Sequence, residues 1–197
     1  MRKRRLEMIL EGVRGFSSPD PGMEQYFTPP AVAARLLYQA YLNGDLGGVV
    51  FDLGCGTGVL AIGAALLGAP WVVGFDRDLG ALRIARENSR RLSVDVDFVA
   101  CNIWDVSGKA GVVVMNPPFG AQVRFGDRPF LRKALEVADV VYSIHNAGSY
   151  SFVKSFISPA VITWRCEVSF PLKRTFMFHK KDIVHIKVEI YRIEKRD

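Results

Sequence analysis

Gly47-Gly48-Val49-Val50-Phe51-Asp52-Leu53-Gly54-Cys55-Gly56-Thr57-Gly58 is the stretch on which the fold turns. A short apolar run bounded by glycines reads as a buried strand, here Gly47 to Leu53, with Asp52 near its end. The three spaced glycines then lead without a linker into the apolar helix Val59 to Leu67. The next apolar run, Trp71 to Phe75, is a second strand, and it ends in Asp76. Leu79, Leu82, Ala85, Ser89 and Leu92 trace one face of the following helix, whose other face carries Arg83, Arg86 and Arg90. Val94 to Ala100, alternating with Asp95 and Asp97, reads as a third strand and Val112 to Met115 as a fourth. Strand and helix alternate, the pattern of a parallel sheet covered by helices on both faces.

Toward the C-terminus the spacing predicts a helix over Pro129 to Val137, a strand over Val140 to Ile144 and a helix over Tyr150 to Ile157. Two long strand-like runs follow, Val161 to Phe170 and Ile183 to Ile193, joined by a basic loop with Lys173, Arg174, His179, Lys180 and Lys181. In the last run Val184, Ile186, Val188 and Ile190 alternate with His185, Lys187, Glu189 and Tyr191, which predicts a half-exposed strand paired antiparallel with its neighbour. Toward the N-terminus, Leu6, Ile9, Leu10 and Val13 fall at helical spacing behind the basic opening Met1-Arg2-Lys3-Arg4-Arg5. Ser17 to Gly22 is turn-rich. Thr28 before Pro29 reads as a helix cap and first helical position for a helix Ala31 to Leu42, with Val32, Leu36 and Ala40 on one face.

The chain has 197 residues, 49% of them hydrophobic and 23% charged, which suits one globular domain with a single core. Its 26 Lys and Arg against 20 Asp and Glu give a formal charge of +6, a balance that favours a polyanionic partner. Cys55, Cys101 and Cys166 are odd in number and widely separated, which supports neither a disulfide framework nor a CxxC metal site and suits a reducing cytoplasm. No run approaches a membrane span, and no signal peptide follows the basic opening.

A glycine turn between a first strand and its helix lets a ligand approach the backbone, and an acid closing the second strand can hold two ribose hydroxyls. Gly54, Gly56 and Gly58 with Asp76 therefore predict a nucleoside cofactor. The spacing is G-x-G-x-G, with Val59 at the sixth position of the dinucleotide fingerprint, which favours S-adenosylmethionine over a pyrophosphate ligand. Cys55 and Thr57 complete the turn, and Asp52 is placed to orient the methionine end. At the third strand end Asn102 is expected to accept from the adenine N6 and the Ile103 N–H to donate to N1. Tyr26, Phe27 and Thr28 form a candidate lid, with Gln25 reaching the methionine end.

Asn116-Pro117-Pro118-Phe119 closes the fourth strand. Two prolines forbid ladder and helix alike and hold Asn116 in a stiff extended geometry. The Asn116 side-chain oxygen and the Pro117 carbonyl are two acceptors for one NH2 group, with Pro118 stiffening the loop and Phe119 a flat surface to stack on. The chemistry this suits is methyl transfer to a delocalised exocyclic amine, whose developing positive charge two acceptors stabilise. A base treated this way must be unstacked from its neighbours. His145, closing the Val140 to Ile144 strand, is placed on the same rim.

Glu24 to Pro29, Asp52 to Gly56, Gly74-Phe75-Asp76, Asn116 to Gly120, Tyr142 to His145 and Phe178 to Lys181 together resemble the methyltransferase-like-five family of rRNA adenine-N6 methyltransferases, in an archaeal type. The resemblance runs in order along nearly the whole chain. It implies a seven-stranded, Rossmann-like S-adenosylmethionine-dependent methyltransferase fold, α/β, mostly parallel with an antiparallel C-terminal hairpin. It also implies small-subunit ribosomal RNA as substrate and, in eukaryotes, a small zinc-binding activator added to an exposed sheet edge. Three positions depart from the family: Asn102 replaces an acid, Thr57 a cysteine of eukaryotic members, and Asn146 a lysine.

The expectation is one methyltransferase domain over 1–197, with residues 1–45 as helical extension and lid and 46–197 as catalytic core. RNA contact is expected from the basic N-terminus and the Lys173 to Lys181 loop. Two other readings stay open: a protein-glutamine methyltransferase using the same acceptor logic on an amide, and a non-enzymatic cofactor-binding module of ribosome assembly.

Overall fold

The structure is a computed structural model that describes residues 1–17, 19–20, 22, 24–119, 125–173 and 183–196. The basic loop Arg174 to Lys181 and Gly120 thus lie outside the described residues. Seven strands form one sheet in the order β3-β2-β1-β4-β5-β7-β6. These are β1 (Val49–Leu53), β2 (Trp71–Asp76), β3 (Asp97–Ala100), β4 (Ala110–Met115), β5 (Ala138–Asn146), β6 (Val161–Lys173) and β7 (Ile183–Glu194). β1 to β5 run parallel, and β7 enters antiparallel beside β5 with β6 outside it. The seven-stranded mostly parallel sheet and its inserted terminal hairpin are thus as the sequence led us to expect.

Strand alternation sorts side chains between two apolar layers. Val50, Val72, Val112 and Val114 face one layer with helices α1 (Lys3–Leu10), α2 (Pro30–Leu42) and α3 (Val59–Leu66). Phe51, Leu53, Val73, Phe75, Val113 and Met115 face the other, with α5 (Asp127–Val137) and α6 (Tyr150–Phe156). α4 (Leu79–Arg91) lies between β2 and β3 in the chain; it buries Ala81, Leu82 and Ala85. Burial of both faces explains why β1 and β4 read as unbroken apolar runs.

Four local readings need correction. Leu79 is 66% exposed because it opens α4 at the helix end rather than on its packed face. β3 is only four residues long, since Val94 to Val96 precede its pairing with β2. α2 starts at Pro30, with Pro29 as its cap, and Thr28 caps nothing because its hydroxyl is engaged elsewhere. In β7 the half-exposed alternation holds only over His185 to Ile190: Val184, on the apolar side of the pattern, is exposed, and Tyr191, on its polar side, is fully buried, as is Ile193. β7 is an interior strand with α5 and α6 over its second face, so its base has no solvent side.

Candidate active site

β1 and β4 are neighbours whose connections leave in opposite directions, so the C-terminal edge between them is a topological switch point, where ligands bind in open α/β sheets. Val50 and Val114 point into the α2/α3 layer, and alternation sends Asp52 and Asn116, two residues further on, to the same side. A cavity of about 460 Å³ opens there, within the usual range for a small-molecule site. Gly54, Asp76, Asn102, Ile103, Asn116 and Pro118 are among its walls. A small extension at its floor touches Thr28, Asp52, Cys55, Thr57 and Asn116.

The glycine turn is shaped by its own backbone. Gly54 has φ +70° and Gly56 φ +52°, and a Cβ on either would lie within 3 Å of an aromatic carbon, Phe130 for the first and Phe16 for the second. Only glycine accepts both the conformation and the crowding. The Gly54 and Cys55 N–H groups donate to the Phe75 carbonyl, which ties the turn to the end of β2. Asp76 then braces it from the side: one carboxylate oxygen accepts from the Gly56 N–H at 2.8 Å and the other from the Asp78 N–H at 2.9 Å. Burial raises the Asp76 carboxyl above its ordinary range, against those two donors.

Among the described residues three buried polar atoms here have no hydrogen-bond partner: Asp52 Oδ1, Thr57 Oγ1 and Asn116 Oδ1. Buried groups in folded proteins are nearly always paired, so a cluster of orphans marks where a polar ligand is received. Asp52 uses its other oxygen to accept from the Ala61 N–H at 2.9 Å, inside the first turn of α3. Desolvation, helped by the nearby Asp76 charge and opposed by that N–H, pushes its carboxyl up to about 8. Burial likewise pushes the Cys55 thiol well above its ordinary value.

Asn116 has a defined amide orientation. Its Nδ2 donates to Thr28 Oγ1 at 3.0 Å, so the orphaned Oδ1 is the atom left for a ligand. Pro117 is buried behind it and Pro118 faces the cavity. Phe119, expected to offer a free stacking face, packs instead between two rings: it stacks on Tyr26 with centroids 6.1 Å apart and meets Phe170 edge-on at 5.7 Å. Tyr26 and the lid are thereby joined to the acceptor loop.

Gln25 was expected at the methionine end. Its Nε2 donates to Asp78 at 2.6 Å and its Oε1 accepts from the Asp20 N–H, which puts it at the start of α4, two residues from Asp76. Asn102 caps a 3-10 turn, Ile103–Asp105, by accepting from the Trp104 N–H at 3.2 Å; one lone pair of its oxygen is therefore engaged locally. His145 is 2% exposed, bonded through Nε2 to Ser143 and facing Asp127 at 3.4 Å, so it is a buried strand residue and not part of the rim.

The sequence reading missed four aromatic walls: Phe16, Trp104, Phe125 and Phe130. Phe16 is held over the glycine turn by Asn88, a buried α4 residue that bonds the Arg14 N–H, the Arg14 carbonyl and the Thr57 carbonyl. A lone Phe before a polar linker carries no pattern; only the bond of its neighbour Arg14 to buried Asn88, 74 positions further on, gives it a place. Among the described residues no cluster of His, Cys, Asp and Glu could hold a metal, and no helix is long and apolar enough to cross a membrane.

A switch-point cavity with a strained glycine turn, an acid closing β2, and an Asn-Pro-Pro-Phe acceptor loop defines a methyltransferase, and the cofactor is S-adenosylmethionine. The pattern of ribosomal protein L11 methyltransferases (PrmA) matches residues 33–117, the cofactor half of the sheet. Over the full length the relatives are more specific. Two rRNA N6-adenosine-methyltransferases METTL5, from Danio rerio and Drosophila melanogaster, are 36% and 34% identical, covering 98% of this chain and 98% and 97% of theirs. A solved Pyrococcus horikoshii structure is 40% identical with a TM-score of 0.94, covering 100% of this chain and 99% of that one. The chain belongs to the METTL5 family.

Proposed function

We propose that the protein methylates the N6 amine of an adenosine in ribosomal RNA, acting as one methyltransferase unit over 1–197, and small-subunit RNA is the substrate we favour. The observation that carries this is the orphaned, oriented Asn116 Oδ1 at the mouth of β4. The activities named for the METTL5 relatives support the same substrate.

S-adenosylmethionine, when bound, supplies a methyl group on a positively charged sulfur. Asp76, whose oxygens keep lone pairs beyond those given to Gly56 and Asp78, receives the ribose hydroxyls. Asp52 Oδ1 receives the ammonium of the methionine end, with Thr57 Oγ1, Cys55 and Gly54 completing that floor, while Gln25 donates to Asp78 near the ribose end. The Ile103 N–H, which opens a 3-10 turn and has no acceptor within it, meets the adenine edge, and the second lone pair of Asn102 faces the same edge.

Asn116 Oδ1 accepts one N–H of the target amine and the Pro117 carbonyl the other. Both acceptors draw the nitrogen out of conjugation and stabilise the positive charge that grows on it, an interaction worth about 3 kcal/mol per preorganised group in comparable sites. Phe119, clamped by Tyr26 and Phe170, fixes the loop, and Pro118 forms the wall against the base. The extra proton leaves to water. No strong base is required, because an N-methylated aminopurine cation is acidic.

Three free cysteines fit a cytoplasmic setting. A zinc-binding activator, if the chain uses one, has the short outer strand β3 to pair with, on which Val99 is exposed. The test is incubation with radiolabelled S-adenosylmethionine and, in parallel, total ribosomal RNA and total protein. We expect label in RNA as N6-methyladenosine, lost in Asn116→Ala while cofactor binding persists. Label in protein alone would favour the glutamine reading, and none in either the assembly-module reading.

A further inference from the structure

Arg128 stands out among the charged side chains near the cavity. It lies in the first turn of α5, between Phe125, Pro129 and Phe130, which wall the cavity. Its guanidinium carbon is 3.6 Å from the Phe125 ring centre, 5.1 Å from that of Phe152 and 6.0 Å from that of Phe156. Three rings from α6 and the α5 entry thus hold the planar group in one orientation.

None of its five N–H donors has a hydrogen-bond or ion-pair partner among the described residues. Its Nε is buried and unpaired, while the terminal nitrogens still reach solvent. The nearest acid in the chain, Asp127, turns to His145 instead. Leaving a buried donor unmade is costly, and the cation–π contacts hold the charge without satisfying its N–H donors. Phe125 itself sits at φ +68°, a conformation a bulky residue adopts only under constraint. A preorganised, unpaired planar fork, one ring's thickness from the cavity wall and beside the N-terminal end of an 11-residue helix, is built for an anion of fork geometry.

We propose that Arg128 binds a backbone phosphate of the RNA strand next to the target adenosine, through the terminal nitrogens of its guanidinium. This rests on the RNA reading above. A nucleotide whose base enters the cavity must leave its flanking phosphates outside it, and Arg128 is stacked on Phe125, one of the residues that wall the cavity. The contact positions the strand and carries no base preference.

The test titrates wild type and Arg128→Met with a single-stranded oligoadenylate by fluorescence anisotropy across a salt series. Methionine keeps the packing among the rings and removes the charge. We expect binding about tenfold weaker at low salt, with a log–log salt slope smaller by about 0.7, the value for one phosphate contact on a single strand. The variant still unfolds cooperatively, and its S-adenosylmethionine affinity stays unchanged. Arg128→Lys keeps the slope and recovers part of the affinity. Arg128→Gln is read the same way as the methionine variant and covers a folding failure of the latter. Equal affinity and slope in wild type and the uncharged variants overturns the Arg128 site while the RNA reading stands. If wild type neither binds the oligoadenylate nor labels RNA, both fall.

Discussion

The acceptor role proposed for Asn116 requires its amide to face one way round, and the bond from its Nδ2 to Thr28 Oγ1 sets that direction. An asparagine amide flipped by 180° would aim two N–H donors at a substrate amine that is itself a donor. We expect Thr28→Val to slow methyl transfer about ten- to a hundredfold while S-adenosylmethionine affinity changes less than about threefold, and Thr28→Ser to restore the rate. The decisive measurement is the double-mutant cycle with Asn116→Asp. A carboxylate offers an oxygen in either orientation, so Thr28→Val should cost little further rate in that background. Equal sensitivity in both backgrounds would show that Thr28 acts some other way.

Asp52 predicts a pH dependence. Its folded carboxyl is raised to about 8, against about 3.9 in an unfolded chain. Between those values the folded state holds the extra proton, so stability is greatest at the acid end and declines as pH rises toward about 8. Binding of an ammonium group demands the ionised form, so cofactor affinity should rise over the upper part of the same window. Urea unfolding and calorimetric titration with S-adenosylmethionine, run from about pH 5 to about pH 9, read the two opposite slopes. Asp52→Asn should flatten both; unchanged slopes would assign them to other groups.

Among the elements, the glycine turn is held from two sides. Asp76 braces it from β2, and Asn88 on α4 links it to the segment carrying Phe16. Asn88→Ala strands the Arg14 N–H and the Arg14 and Thr57 carbonyls at once. We expect a loss of about 2–4 kcal/mol in urea unfolding and a weakened cofactor affinity, because the Phe16 flap loses its tether. Retained affinity with lowered stability would make Asn88 a structural residue alone. Element types were legible because apolar runs of strand length alternated with helix-period stretches and glycine punctuated them. Element ends were less so. Thr28-Pro29 has the composition of a helix start, yet its hydroxyl is taken by Asn116, 88 positions away, and the cap shifts by one residue.

At the scale of the molecule, the terminal hairpin is locked to the N-terminal extension. Arg192 on β7 bonds both oxygens of Asp45, which also accepts from the Tyr142 hydroxyl on β5 at 2.7 Å; Asn43, just past α2, donates to that hydroxyl. Desolvation and the Asp45 carboxylate raise the Tyr142 phenol, so it remains the donor in this network. The charged N-terminus opens α1, at the other end of that helix from Phe16, whereas Arg128 is stacked on Phe125 of the cavity wall. The +6 charge therefore says that a polyanion is favoured without saying which arginine meets it.

What this sequence determined by itself was local chemistry and its order. The glycine spacing, the acid closing the second strand and the Asn-Pro-Pro-Phe loop each constrain their own backbone, so their roles can be read without neighbours. Only the tertiary structure decided which atoms stay free. Asn102 caps a turn, His145 is sealed by Ser143 and Asp127, Phe119 is clamped by two rings, while Asn116 Oδ1, Asp52 Oδ1 and Arg128 Nε have no hydrogen-bond partner among the described residues. The reason is physical. Whether a polar group is spent or available depends on partners tens of residues away, and no local pattern records them.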